Sequence, residues 1–266
     1  MTDAATALST STAPLPGRRA IPLLGFGTWQ LTGQPATEAV ATALAVGYRH
    51  LDTATMYRNE REVGAGLRDS GVPREEVFIT TKLPPDHAGS ERQVLEQSLS
   101  ALGVDQLDLW LVHWPPDAGK VLDVWRAFLQ AQADGLVRDV GVSNHSLAQL
   151  DELSDATGVM PAVNQIKWSP LLFDAALLEG HRERGVVVEG YSGLKGGTLE
   201  HPVVTGIAGR IGCSPAQVLV RWQLEHGVVA IPKSTNQGRI RENAEVDAVL
   251  LTAEDRAALD ALGGAG

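Results

Sequence analysis

The 266-residue sequence predicts an α/β fold, a single (β/α)8 barrel of the TIM type. Short apolar, β-branched runs alternate eight times with longer segments whose apolar residues recur at helical spacing. No composition break or long linker interrupts the alternation. The competing architecture is an open doubly wound sheet. Its dinucleotide turn would need a complete G-x-G-x-x-G after the first strand, and Gly25-Phe26-Gly27-Thr28-Trp29-Gln30 does not complete it.

In chain order, the strands are expected at 26–28, 48–52, 77–81, 107–112, 137–142, 162–165, 186–189 and 228–231. Helices are expected at 36–46, 60–68, 90–102, 120–133, 146–157, 175–184, 215–226, 239–246 and 253–262. Residues 1–13, rich in Ala, Ser and Thr, are expected to form a disordered tail, and 14–266 the barrel. The tail has neither the basic leader nor the apolar run of a secretory signal, and no stretch approaches the length of a membrane span.

Hydrophobic residues make up 44% of the chain and charged residues 20%, enough to bury a core without disulfides or metals. A net charge of -10 argues against nucleic acid as a partner, because a phosphate backbone needs a basic face. The lone Cys213 excludes an intrachain disulfide and suits a reducing compartment, so a cytoplasmic location is expected. Cys213 precedes Ser214-Pro215, a helix-start pattern, and reads as a packing residue rather than a nucleophile.

A barrel places its chemistry at the C-terminal ends of its strands. There the second strand ends in Asp52, with Tyr57 five residues on; Lys82 ends the third strand and His113 the fourth. A tyrosine can protonate a carbonyl if a nearby ammonium lowers its high pKa, and a carboxylate can hold that ammonium charged and oriented. A histidine can donate a hydrogen bond to the substrate oxygen. Singly, each residue has a plainer reading: a capping Asp, a solvated Lys, a packed Tyr, a satisfied His. Four suitable groups at successive strand ends are harder to explain that way.

The stretches Gly-Tyr-Arg-His-Leu-Asp-Thr-Ala at 47–54, Tyr-Arg-Asn-Glu at 57–60, Thr-Lys-Leu at 81–83 and Leu-Val-His-Trp-Pro at 111–115 resemble the aldo-keto reductase family. The resemblance covers about residues 21–243 and is to bacterial diketogulonate reductase-like members. It implies that Asp52, Tyr57, Lys82 and His113 form a catalytic tetrad, that the chain acts as a monomer, and that NADPH reduces a small carbonyl substrate. No metal is required.

The resemblance also implies a cofactor half. Ser143, Asn144 and Gln165 would bind the nicotinamide carboxamide, and Tyr191 would stack on its ring, with Ser192 and Leu194 as further contacts. Ser and Asn at strand ends otherwise serve as caps and turns. In the run 231–243, Lys233, Ser234 and Arg239 match the site for the adenosine 2′-phosphate and favour NADP over NAD, while Glu242 and Asn243 match residues that bind adenine. Cations flanking a hydroxyl-bearing turn before a helix can hold a phosphate.

Trp29 and Trp114, with His113, are expected to form the substrate wall, and Phe26 is a further candidate. Trp110 reads as structural; Trp125, Trp168 and Trp222 have no functional reading. Three departures from the family pattern stand out. Gly190-Tyr191-Ser192-Gly193-Leu194-Lys195-Gly196-Gly197 replaces a proline-containing loop and should be looser. Gln165-Ile166-Lys167-Trp168-Ser169-Pro170 also differs from the common pattern. The sequence ends soon after Leu262, which predicts an open pocket and broad selectivity. Two other readings compete: an NADP-binding redox sensor, which would bind NADPH but turn over little, and a barrel isomerase of phosphorylated sugars, which would bind no NADPH.

Overall fold

A computed structural model describes residues 8–17 and 19–264. The chain opens on a 3-10 turn, Leu8–Thr10, then a short antiparallel hairpin, β1 (Thr12–Ala13) and β2 (Ile21–Pro22). The expected tail is therefore corrected over residues 8–13, while its part at 1–7 lies outside the described residues. The hairpin is held from both sides. Leu23 N donates to Ser11 O, and Gly17 N donates to Asp139 Oδ1 at 2.7 Å. Arg19 pairs with the buried Asp108 at 2.6 Å. Composition alone does not reveal such long-range partners.

The barrel follows in the order β3 (Phe26–Gly27), α1 (Gly33–Ala45), β4 (His50–Asp52), α2 (Glu60–Ser70), β5 (Phe78–Leu83), α3 (Glu91–Leu102), β6 (Leu107–Val112), α4 (Val121–Ala133), β7 (Val137–Ser143), α5 (Leu147–Thr157), β8 (Val163–Lys167), α6 (Ala175–Glu183), β9 (Val187–Tyr191), α7 (Pro202–Ile211), α8 (Pro215–Glu225), β10 (Val229–Ala230), α9 (Gln237–Ala244) and α10 (Ala253–Asp260). Strands β3 to β10 form one all-parallel sheet in sequence order. It closes where Leu24 bridges Ala230 in parallel; Gly25 N donates to Ala230 O at 2.8 Å, and Ala230 N to Leu23 O at 2.7 Å. Gly27 is required there, because a Cβ would lie 2.7 Å from Ile231 O.

The expected (β/α)8 architecture is what the chain adopts. Strands β5 and β6 are buried along their whole length, as parallel strands covered on both faces must be. The helix at 215–225 starts as its sequence foretells, with Ser214 and Gln217 forming a capping box and Pro215 in the first turn. Helix α7 is the element that the periodicity misses. Its Pro-Val-Val-Thr-Gly-Ile-Ala-Gly-Arg-Ile stretch combines β-branched residues with two glycines, a poor helix former. Burial of Val204, Ile207 and Ala208 in the core, and an N-cap in which Val203 N donates to the His201 ring, override that propensity.

The tryptophans sort by position. Trp110 faces outward from β6 and stacks on Phe128 of α4 at 3.7 Å between ring centres. Trp125 packs beside Phe128, while Trp168 and Trp222 stack at 6.3 Å within a second core that also contains Val204 and Leu219. Phe26 is buried edge-on to Tyr48 at 5.6 Å and lines no part of the cleft described below. It alternates with cleft-lining Gly27, so its side chain leaves the opposite face of the strand, and the expectation that it forms substrate wall is corrected. Cys213 is partly buried against the second core. Among the described residues no single helix is long and apolar enough to cross a membrane.

Candidate active site

A cleft of about 790 Å³ opens at the C-terminal ends of the strands. At its base β4 delivers Asp52 and β5 delivers Lys82, both buried. Lys82 Nζ donates to Asp52 Oδ1 and Oδ2 at 2.8 and 2.7 Å and to Thr53 O at 2.8 Å, which uses all three of its protons. Gln165 Nε2 donates to Asp52 Oδ2 at 2.8 Å from the far side of the barrel. Burial opposes the charge on Lys82 more than any other single influence. The neighbouring Asp52, Tyr57 and Glu189 together outweigh it and hold the ammonium above its ordinary range.

Tyr57 sits on the 3-10 turn Thr55–Tyr57 after β4, with Lys82 Nζ 5.1 Å from its ring centre. The rest of the Tyr-Arg-Asn-Glu motif explains how that turn is held. Asn59 Nδ2 donates to Thr28 O and Leu31 O at 2.8 and 2.9 Å, and Asn59 Oδ1 accepts from Thr53 Oγ1 at 2.9 Å. Glu60 Oε1 accepts from Thr81 Oγ1 at 2.6 Å, tying the turn to the strand that bears Lys82. Burial pushes the Tyr57 phenol up, and Lys82 pulls it down by less, so the net direction is upward. The expected lowering by the ammonium is thus present but loses to desolvation. Tyr57 stands at neutral pH as a phenol with its proton in place.

His113, just past β6, meets Tyr57 edge-on at 5.8 Å between ring centres. Burial, and then the Lys82 charge, press its pKa down to about 3, so the ring is neutral. Trp29, Met56 and Trp114 rim this end and remain 44%, 51% and 45% exposed. The C-terminal turn Ala261–Gly264 packs elsewhere, with Gly263 against the backbone of Phe173.

The predicted cofactor residues line the same cleft. Ser143 Oγ donates to Gln165 O at 2.7 Å; Asn144 Nδ2 donates to Ser143 Oγ at 2.9 Å, and Asn144 Oδ1 accepts from the Tyr191 hydroxyl at 2.8 Å. Ser192 and Leu194 border the cleft beyond Tyr191. At its far end lie Lys233, Ser234, Arg239, Glu242 and Asn243, the last four around the start and body of α9. Asn236 caps that helix by accepting from Arg239 N at 3.0 Å, and Ser234 Oγ accepts from Asn236 N at 3.0 Å. Among the described residues neither Lys233 nor Arg239 has an ion-pair partner. The cleft thus runs from neutral hydroxyl and amide groups to uncommitted cations, a polarity that fits an anionic dinucleotide with an uncharged carboxamide at one end.

Backbone strain is concentrated at this rim. The described non-glycine residues with positive φ are Gln30, Arg58, Asn144 and Ser192, at 64°, 56°, 61° and 59°. Each directly follows a predicted site residue: Trp29, Tyr57, Ser143 or Tyr191. Such conformations cost free energy and persist where surrounding contacts hold them.

The glycine-bearing loop after β9 touches α8 and the opposite rim of the cleft. A Cβ at Gly193 would lie 2.7 Å from Gln223 Nε2, and Lys195 Nζ lies 3.6 Å over the Trp29 ring. A side chain at 193 would displace the terminal amide of Gln223, whereas Gly196 and Gly197 stand in open space at positive φ, 70° and 81°. Lys195, Gln223, Met56 and the buried Glu189 escaped the sequence reading. For Glu189 a signal existed, since it is a charge within an apolar strand.

Comparison with known proteins agrees with this fold. The model of the "Aldo/keto reductase family" matches residues 23–263. The chain belongs to the aldo/keto reductase family. It is 44% identical over 239 residues to an aldo-keto reductase of Mycolicibacterium smegmatis, covering 88% of this chain and 87% of that one. It is 42% identical over 246 residues to the glyoxal reductase of Bacillus subtilis, covering 91% and 89%. A solved structure of a Bombyx mori aldo-keto reductase in complex with NADP superposes with a TM-score of 0.88 at 31% identity, covering 95% of this chain and 92% of that one. As a family member the chain is an oxidoreductase with relatives named as reductases.

Proposed function

We propose that this reductase converts aldehydes or ketones to alcohols with NADPH, using Tyr57 as the proton donor and accepting α-dicarbonyls or keto-sugars among its substrates. The observation that carries the reading is one cleft joining a half-buried Tyr57, the buried Lys82–Asp52 pair beside it and His113 to uncommitted cations at Lys233 and Arg239. The name of the Bacillus subtilis relative favours small dicarbonyls, and the NADP-bound Bombyx mori neighbour favours NADP.

When bound, the dinucleotide supplies the hydride. Ser143, Asn144, Gln165 and Tyr191 would hold its nicotinamide end, Ser192 and Leu194 its middle, and Lys233, Ser234, Arg239, Glu242 and Asn243 its adenosine phosphate end. The chain's own part is positional and electrostatic. Tyr57 carries a proton at neutral pH because burial disfavours its phenolate. Lys82 offsets that cost as the proton leaves, and Asp52 keeps Lys82 charged. Neutral His113 has one N–H to donate to a carbonyl oxygen and orients it without protonating it. Trp29 and Trp114, with His113, wall the substrate end, and their exposure suits substrates of varied size. One chain furnishes every group, so the reading takes the protein as a monomer, in the cytoplasm.

The test is NADPH oxidation with a panel of aldehydes and α-dicarbonyls, comparing the native chain with Tyr57→Phe. Native turnover that falls about 100-fold or more in the variant is expected. A loss under about fivefold would remove Tyr57 from its role. Tight NADPH binding with no turnover would replace the reductase reading with a sensor.

A further inference from the structure

Within the barrel, Asp52 and Lys82 have two further buried titratable neighbours, His50 and Glu189, which the proposed reaction leaves unused. His50 Nε2 bonds Thr80 Oγ1 at 3.0 Å and lies 3.8 Å from Glu189 Oε1, too far for a hydrogen bond. Its ring occupies space that Gly25 leaves, since a Cβ at Gly25 would lie 2.6 Å from His50 Nδ1. Glu189 pairs in register with Gln165, whose amide donates to Asp52 Oδ2.

Neither carboxyl oxygen of the fully buried Glu189 receives a hydrogen bond of good geometry among the described residues: the neighbouring Gln165 amide steadies its charge slightly but is directed at Asp52. An ionised carboxylate in such a place would normally collect several donors, as Asp52 does. The titratable groups that face it are His50 and Asp52 from β4, Tyr57 from the turn after β4, and Lys82 from β5. Its register neighbours, Gln165 on β8 and Val229 on β10, carry no charge. His50 supplies no compensating cation, because burial presses its pKa down to about 3.

We propose that Glu189 is a positioning residue for the reaction: as a neutral acid it leaves Asp52 and Lys82 as the charges around Tyr57, and on ionising it adds a negative charge that opposes loss of the phenolic proton. The proposal rests on the reductase reading for its link to catalysis. Burial first, then the Asp52 charge, push the Glu189 carboxyl up to about 8, with Lys82 and then the Gln165 amide acting in the opposite sense. Glu189 is therefore already charged when the Tyr57 phenol, raised above its ordinary range, begins to ionise. Its effect falls on alcohol oxidation, in which Tyr57 must accept a proton as phenolate, and on the alkaline limb of carbonyl reduction.

The experiment is an ultraviolet titration of tyrosinate in the cofactor-free protein. The chain has 3 tyrosines, so Tyr57 is isolated by subtracting the same titration of Tyr57→Phe, with and without Glu189→Gln. Removal of the charge is expected to move Tyr57 ionisation down by about half a unit to one unit. The pH profile of alcohol oxidation with NADP should move by the same amount while its plateau stays within about threefold. A structural role would lower the plateau and leave both profiles in place, and that result would overturn the proposal. If Glu189→Gln does not fold, Glu189→Leu takes its place; failure of both to fold also overturns it. Tyrosinate titration needs neither cofactor nor substrate, so an unshifted titration defeats this inference alone, whereas absent turnover defeats the reductase reading alone.

Discussion

At the ends of β4 and β5 the polar groups already satisfy one another, while along β7 to α9 several of them stand uncommitted. Lys82 spends all three protons on Asp52 and Thr53 below the floor of the cleft, where it is fully buried. Lys233 and Arg239, by contrast, are exposed and free of ion-pair partners among the described residues. The first region is assembled by folding itself, and its charges cannot be removed singly without leaving a partner buried. The second has the character of a surface that a ligand completes. Loss of a side chain should therefore be read in stability at one end and in binding at the other.

The largest expected effect is on the buried pair. Lys82→Met strands the Asp52 carboxylate with Gln165 as its remaining side-chain donor. It should cost about 3–5 kcal/mol, seen as a fall in Tm of roughly 10 °C in thermal unfolding. Adding Asp52→Asn should recover a good part of that loss, because no uncompensated charge remains. A Lys82→Met protein as stable as the native chain would break the comparison.

Next comes the open end. Arg239→Ala should leave Tm nearly unchanged but raise the Kd for NADPH by about tenfold or more, as expected for a lost hydrogen bond to a charged group. Titration by fluorescence against NADPH and NADH checks it. The NADH affinity should stay put, and an equal loss for both would move Arg239 away from the 2′-phosphate.

The last effect, smallest near neutral pH, is a slope. His50 and His113 are both held neutral, with folded pKa values near 3 against an ordinary 6.5. The unfolded chain therefore binds more protons below pH 6.5, and stability falls as pH drops from there toward 3. Each histidine contributes at most about 1.4 kcal/mol per pH unit. Denaturant unfolding of the native chain and His113→Gln across this window should give a shallower slope for the variant.

The alternation of strand and helix was legible because a parallel barrel buries both faces of its strands and one face of each helix. Periodicity reports that burial directly, as at 107–112 and 215–225. The short β1–β2 hairpin and α7 were not legible. The hairpin depends on Asp108 and Asp139, some ninety or more residues away in sequence. Helix α7 forms against its own propensity, because it has a core to cover.

By itself the sequence determined the residues that meet at the barrel mouth, since strand ends in a closed parallel barrel converge wherever the strands lie in the chain. It also carried the charge contrast along the cleft, because 231–243 bears its cations in a run. Only the tertiary structure decided the state of those groups. Burial raises Tyr57 despite Lys82, neutralises His113 and leaves Glu189 without a donor of good geometry. It also sets Gly193 against the Gln223 amide. The physical reason is that desolvation and close packing depend on what the rest of the chain places around a side chain, and neither is encoded in the residues adjacent to it in sequence.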